Sequence, residues 1–279
     1  MKKGYHYFFN ITHDRRGKIV DFLDANTIKY SVVGDCVSLR IYDDDFYFNQ
    51  IVELFKEISI SPTVTCEYSK EDLSEAEYLR IWLRRYSGYP QPEAIDIKNS
   101  YINYTFDITN FCTKCGSGLV QKDSFYLKKS FNIEKIRFGG VYWVYDTFFI
   151  TKELQDLFVK EKFTGIEFVP VKNIKTKQIV DNIVQLKINS IFPAKLQYDV
   201  EKVIDCKQCK QKRDVMKMDS EVFAPKNVIK DLNKDFYVSQ EFHGDGFLCC
   251  KSVLISNRVY KFFNDNKIKN ICAEPIKFE

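Results

Sequence analysis

Two Cys-x-x-Cys motifs, Cys112-Thr113-Lys114-Cys115 and Cys206-Lys207-Gln208-Cys209, stand about ninety residues apart in a chain of 279. Two intervening residues let both thiolates of a pair face one ion, and Gly116 after the first pair suits the positive φ of so tight a turn. Together Cys112, Cys115, Cys206 and Cys209 would complete a closed tetrahedral zinc site, with about 2.3 Å for each Zn–S bond. A closed shell leaves no place for water, so the implied Zn2+ is structural. Lys114, Lys207 and Lys210 would offset the charge of four thiolates around one dication. Compact ribbons separate their pairs by only about 15–20 residues, so the long spacer needs its own explanation. Three alternatives stay open: two redox motifs, which here lack the aromatic-Cys-x-x-Cys context of a thioredoxin helix; a catalytic zinc site, with His243 the nearest extra ligand; and unliganded buried thiols.

The other five cysteines, Cys36, Cys66, Cys249, Cys250 and Cys272, lie in apolar or β-like contexts and read as small buried hydrophobes. Before polar residues return, the chain opens with a two-residue apolar stub, far short of the roughly 7–15 of a secretory h-region. No apolar run approaches the roughly 18–20 residues of a membrane span. A cytoplasmic, reducing location without membrane attachment is therefore expected, and it favours metal ligation over disulfides.

An internal repeat explains the spacer. At an offset of 105 residues Gly139 matches Gly244, Tyr142 matches Phe247, Ile150-Thr151 matches Ile255-Ser256, and Leu154 matches Val259. Phe158, Ile166 and Pro170-Val171 match Phe263, Ile271 and Pro275-Ile276 without a gap. Residues 138–171 and 243–276 each read as strand, hydroxyl N-cap, short helix and closing strand. Each copy brings one cysteine pair, so one ion would staple two copies. Two copies are too few for a solenoid and imply one compact domain.

In the front of the chain, residues 5–11, 37–42 and 62–68 read as strands. Asp43, Asp44 and Asp45 read as the N-cap of a helix carrying Ile51, Leu54, Phe55 and Ile58. Ser69-Lys70-Glu71-Asp72 resembles a capping box for a helix ending near Leu79. Ser87-Gly88-Tyr89-Pro90-Gln91-Pro92 is the densest turn signal, and it sets the expected boundary between an acidic region 1–88 and a zinc-stapled domain 89–279. The expected fold class is α+β, with mixed sheets and short helices. Residues 1–110 hold 13 Lys/Arg against 17 Asp/Glu, and the remainder 29 against 21, an acidic front and a mildly basic back.

Catalytic signals are weak. His6, His13 and His243 have no metalloprotease spacing, and the glycines form neither a P-loop nor a dinucleotide fingerprint. A dispersed Ser/His/Asp arrangement stays open, because triads are recognised by geometry. A binding protein rather than an enzyme is the expectation.

With the knuckles and the repeat in view, the chain resembles the double-CXXCG motif proteins, a group of myxobacterial paralogues and related bacterial immunity proteins of polymorphic-toxin systems. The likeness rests on the two cysteine motifs, on Thr-Gly-Ile-Glu-Phe-x-Pro-Val at 164–171, and on Ile255-Ser256; it covers roughly residues 89–279. Lys210 departs from it, standing where the second motif has glycine. The resemblance implies a cytoplasmic immunity protein that binds and neutralises a cognate toxin, the C-terminal domain of a secreted effector. Asp43, Asp44, Asp45 and the acidic residues of 71–77 are a candidate face for a basic toxin, with Trp82, Tyr86 and Tyr89 as candidate anchors. The alternative is a zinc-ribbon-type nucleic-acid-binding or regulatory protein using Lys207, Lys210, Lys212 and Arg213.

Overall fold

The computed structural model describes every residue except 12, 13, 247 and 248, so the readings of His13 and Phe247 lie outside the described residues. The chain is α+β, with mixed sheets and a few short helices. It divides into two compact units, Met1–Asp72 with Lys217–Glu221, and Leu73–Met216 with Val222–Glu279. The division falls at residue 72 and not at the proline-rich turn after 88. Residues 78–83 form a strand inside a sheet of the second unit, which carries the turn along with it.

The first unit runs β1 (Lys2–Asn10), α1 (Asp14–Ala25), β2 (Ser31–Val33), β3 (Cys36–Tyr42), α2 (Phe48–Glu57) and β4 (Thr63–Glu67). Its antiparallel sheet has the order β2-β3-β1-β4, the ferredoxin-like split βαβ arrangement. Alternation along β1 sends Tyr7 and Phe9 inward opposite Leu39 and Val37, where they meet Leu23 of α1 and Phe55 of α2. Tyr7 stacks on Phe55 with centroids 3.9 Å apart.

The three aspartates do not cap α2, which starts too late for them, at Phe48, behind Tyr47 with no side-chain cap. They hold the preceding turn instead: Asp45 Oδ2 accepts from the Tyr42 N–H at 2.8 Å and Asp43 Oδ1 from the Lys3 N–H at 3.1 Å. The capping box is present, since Ser69 Oγ accepts from the Asp72 N–H at 3.0 Å and Asp72 Oδ2 from the Ser69 N–H at 2.8 Å. Its helix, α3 (Lys70–Glu75), stops well before Leu79 because the apolar run from Tyr78 is taken by a strand.

The second unit continues with β5 (Tyr78–Leu83), α4 (Tyr101–Thr105), β6 (Phe106–Asp107), β7 (Val120–Gln121), β8 (Tyr126–Leu127), β9 (Phe138–Gly139), β10 (Phe148–Thr151), α5 (Lys152–Lys160) and β11 (Ile166–Asn173). After a tight turn come β12 (Ile179–Ile188), β13 (Val200–Asp205), β14 (Lys212–Met216), β15 (Val222–Ala224), β16 (Phe236–Val238), β17 (Phe242–His243), β18 (Val253–Ser256), α6 (Asn257–Asp265) and β19 (Ile271–Phe278). Its two five-stranded sheets have the orders β8-β11-β12-β10-β9 and β15-β19-β5-β18-β16. In each, the first pair is parallel and the other three are antiparallel.

Both helices begin at a hydroxyl cap: Thr151 Oγ1 accepts from the Leu154 N–H, and Ser256 Oγ from the Val259 N–H. Leu154 and Phe158 on α5, and Val259 and Phe263 on α6, then fall one helical turn apart and enter a single core with Phe138, Ile150, Phe236 and Ile255. The earlier part of the sequence match does not carry over to conformation. Gly139 lies in β9, whereas Gly244 lies in a loop with φ 96°.

Candidate metal centre

Each cysteine pair sits at the tip of a short antiparallel hairpin, β6–β7 for the first and β13–β14 for the second. The two tips have the same internal bonding. The Gly116 N–H donates to the Cys112 carbonyl and the Lys210 N–H to the Cys206 carbonyl, both at 2.9 Å. The Cys112 N–H donates to the Ser117 carbonyl at 2.9 Å and the Cys206 N–H to the Gln211 carbonyl at 3.0 Å. Gly116 has φ 75° and Lys210 has φ 61°, so the turn demands the left-handed region in both tips and lysine meets that demand in the second.

The structure brings all four cysteines of the two motifs together. Their Sγ atoms all lie within 4.8 Å of one another, with Cys112–Cys206 at 3.7 Å and Cys115–Cys209 at 3.4 Å. A tetrahedron with bonds of about 2.3 Å has edges of about 3.8 Å, so these thiols can hold a metal ion such as zinc with little movement. Cys112, Cys115 and Cys206 are buried and Cys209 is exposed. Ser117 Oγ lies 3.2 Å from Cys115 Sγ and 3.4 Å from Cys209 Sγ, bridging the hairpins from the first side. Burial pushes the Cys115 thiol up to about 12, whereas the Ser117 hydroxyl and the Gln211 backbone draw Cys209 down to about 6. A bound dication would displace the protons that remain. His243 is not among the clustered ligands.

The five remaining cysteines are not fully buried as expected: Cys36 is exposed and Cys66, Cys249, Cys250 and Cys272 are partly buried. Strand alternation turns Cys36 outward at the start of β3. Within the basic run, Lys207, Lys210 and Lys212 are exposed but Arg213 is buried, because β14 alternates and points it inward.

A hydrogen-bonded chain of Ser239, His243, Tyr198 and Asp214 lies in the second unit, with tyrosine standing between the histidine and the aspartate. His243 lies between Ser239 (Nε2 to Oγ 3.5 Å) and Tyr198 (Nδ1 to OH 3.4 Å), and Tyr198 donates to Asp214 Oδ2 at 2.9 Å. Ser239 is fully enclosed; its hydroxyl donates to the Glu241 carbonyl and accepts from the Ser252 N–H, so it is tied into the fold and presents no nucleophile to a cleft. Burial draws His243 down to about 4.

A second concave feature, of about 650 Å³, is lined by Glu93, Ile95, Tyr101, Trp143 and Tyr145 among others. Around it Tyr89, Tyr142, Trp143 and Tyr145 are each 37–44% exposed, and Ile95 is completely so. Trp143 has φ 76°, stacks on Tyr101, and lies with its ring 4.5 Å from that of Tyr89. Trp82, one of the candidate anchors, is 39% exposed, with the Arg80 guanidinium over its ring. Of the candidate anchors, Tyr89 belongs to this patch and half-buried Tyr86 backs it through Tyr142 and Tyr145. Trp143 and Tyr145 escaped the sequence reading. Their run, Tyr142-Trp143-Val144-Tyr145, reads as an ordinary strand, whereas the structure makes it two successive turns with Trp143 left-handed and Val144 buried.

No protein-family model matches the chain, and none of the curated proteins matches it. Among the described residues, no helix is long and apolar enough to cross a membrane.

Proposed function

We propose that this protein is a zinc-braced cytoplasmic immunity protein that binds a cognate toxin domain and blocks it. The observation that carries the reading is the exposed aromatic patch of Tyr89, Tyr142, Trp143 and Tyr145 with Ile95. Clustered Trp and Tyr on a rigid body are what protein–protein hot spots are made of. A zinc-stapled body suits the task, since a surface already ordered loses less entropy on docking. The test is affinity purification of the tagged protein from its host at moderate salt, with mass spectrometry of what co-elutes. Recovery of an effector's C-terminal domain, lost on Tyr145→Ala, supports the reading. Nucleic acid that washes off steeply with salt would replace it by the zinc-ribbon alternative. With Arg213 enclosed, that alternative keeps only the lysines of its basic cluster.

The second unit is best read as a duplication whose copies have exchanged their central strands. Leu79 of β5 faces Ile255 and Pro275, while Val184 of β12 faces Ile150 and Pro170; every residue of one set is 105 positions from its counterpart. The Arg84 N–H donates to the Asn270 carbonyl at 3.1 Å and the Asn189 N–H to the Gly165 carbonyl at 3.0 Å, again 105 apart. Phe138 packs on Phe263 and Phe236 on Phe158, a reciprocal pair across the core. On this reading the ion lies where the two copies meet, first cysteine against first and second against second.

A further inference from the structure

We propose that Arg213 is the charge partner of the metal centre: its buried guanidinium is neutralised by a cluster of four thiolates around one dication, which carries two negative charges. This rests on the zinc reading above and assigns to it a residue outside the ligand set.

Arg213 is 6% exposed and sits on β14, seven residues past Cys206. Guanidinium does not lose its proton inside a protein, so this is a permanent buried cation. Such a charge is retained in a fold only when something pairs it. Among the described residues no carboxylate lies within 4.0 Å of it. Its neighbour Asp214 accepts from Tyr198, and exposed Asp205 reaches Lys212 at 4.0 Å. Nη1 donates to the Gly246 carbonyl at 2.5 Å, but Nε is buried with no partner. Cys249, on which the Arg213 charge acts, is pushed up to about 11 by burial and remains a neutral thiol at pH 7.

What Arg213 does share with the cysteine cluster is a hollow at the tip of the second hairpin. Arg213 lines this hollow, of about 510 Å³, together with Cys115 and Cys206, and with Lys114, Lys207 and Asp205. With four neutral thiols, or with two disulfides, this hollow would hold three cations against a single carboxylate. Four thiolates and a dication would supply the missing negative charge at the hollow that Arg213 lines. The first knuckle has nothing similar, since the position seven residues past Cys112 is Leu119, packed against an apolar cluster. The counter-charge is therefore delivered from the second hairpin alone.

The experiment compares the full-length parent with Arg213→Met and Arg213→Lys, each as metal-free and zinc-loaded protein. Zinc affinity is read by competition with a chromophoric chelator, and ligand geometry by the cobalt(II)-substituted absorption spectrum. For Arg213→Met we expect a 10–100-fold loss of zinc affinity, the range of an outer-shell residue, with a tetrathiolate cobalt spectrum unchanged in position. We also expect the metal-free form of Arg213→Met to melt above the metal-free parent, because the uncompensated charge is gone, while its zinc form melts below the zinc-loaded parent. Arg213→Lys keeps the charge and should stay within a few-fold of parental affinity; it also serves if the methionine variant does not fold. Equal lowering of both melting temperatures would reduce Arg213 to a packing role and overturn the proposal, as would unchanged affinity in Arg213→Met or a loss beyond about 10-fold in Arg213→Lys. A parent that binds neither cobalt nor zinc would instead overturn the metal reading beneath it, and this outcome is separate because it appears before any variant is made.

Discussion

The two hairpin tips that meet at the cysteine cluster share a backbone but not a surrounding. The first has Gly116 at its left-handed position, Ser117 bridging two sulfurs, and Leu119 turned to an apolar cluster that includes Phe125, Phe131 and Phe149. The second has Lys210 in the same conformation, buried Arg213, and a flank of Tyr198, Asp214, Ser239 and His243 joined by hydrogen bonds. Backbone bonding repeats because it is what presents two thiolates to one point. Side chains beyond the ligands are free to diverge, and they have made one half apolar and the other charged and titratable.

The largest effect should come from removing a ligand, and the two halves should differ in size. Cys112 is 4% exposed, whereas Cys209 is at the surface. Cys112→Ser should cost about 3–5 kcal/mol and lower the melting temperature by roughly 10 °C, with loss of bound metal. Cys209→Ser should cost less, since water can reach the gap. Metal analysis and calorimetry on both variants decide this; parent-like melting with no metal in any of them would end the zinc reading.

Cutting the chain in the turn between β11 and β12 tests the strand exchange. If each half supplies the central strand of the other's sheet, the fragments should stay together through gel filtration and part only when the sheets melt. Fragments that separate in native buffer would show that β5 and β12 are not needed to hold them.

The polar flank of the second half predicts a pH dependence the first half cannot have. His243 is drawn down to about 4 in the folded chain, against 6.5 for an ordinary histidine. The unfolded chain therefore takes up the proton first, so the contribution is present above about 6.5 and is lost as pH falls to about 4. It amounts to on the order of 3 kcal/mol. His243→Gln should flatten stability over this window in urea titrations while the parent declines; parallel curves would place the acid sensitivity elsewhere.

Several of these features were legible in residues alone. The hydroxyl caps at Thr151 and Ser256 follow from local hydrogen bonding ahead of an apolar helix face, and the structure places both there. Each cysteine pair was legible because its two-residue spacing is a local constraint, and the joining of pairs 94 residues apart was legible only through the repeat. What escaped depends on distant pairing. Tyr78 and Leu79 looked like the end of a helix because nothing nearby reveals that β18 and β19 flank them. Arg213 looked like one more surface cation because the run of basic residues conceals the alternation that buries it.

The smallest predicted effect isolates backbone from charge. Lys210 has φ 61°, where a Cβ meets the following carbonyl and costs about 1 kcal/mol or somewhat more, while glycine pays more entropy on folding. The gain from relieving the first outweighs the second at a position already forced to be left-handed, so Lys210→Gly should stabilise the chain by roughly 0.5–1 kcal/mol. The reverse change in the other tip, Gly116→Lys, introduces the same strain and also forces a long side chain into a buried turn, so it should destabilise by more than Lys210→Gly gains. Measured at two salt concentrations, the Lys210→Gly gain should hardly change, because it is steric. A gain that appears only at low salt would instead assign the effect to relieving repulsion among Lys207, Lys210 and Lys212, making the second tip's departure from glycine a matter of charge.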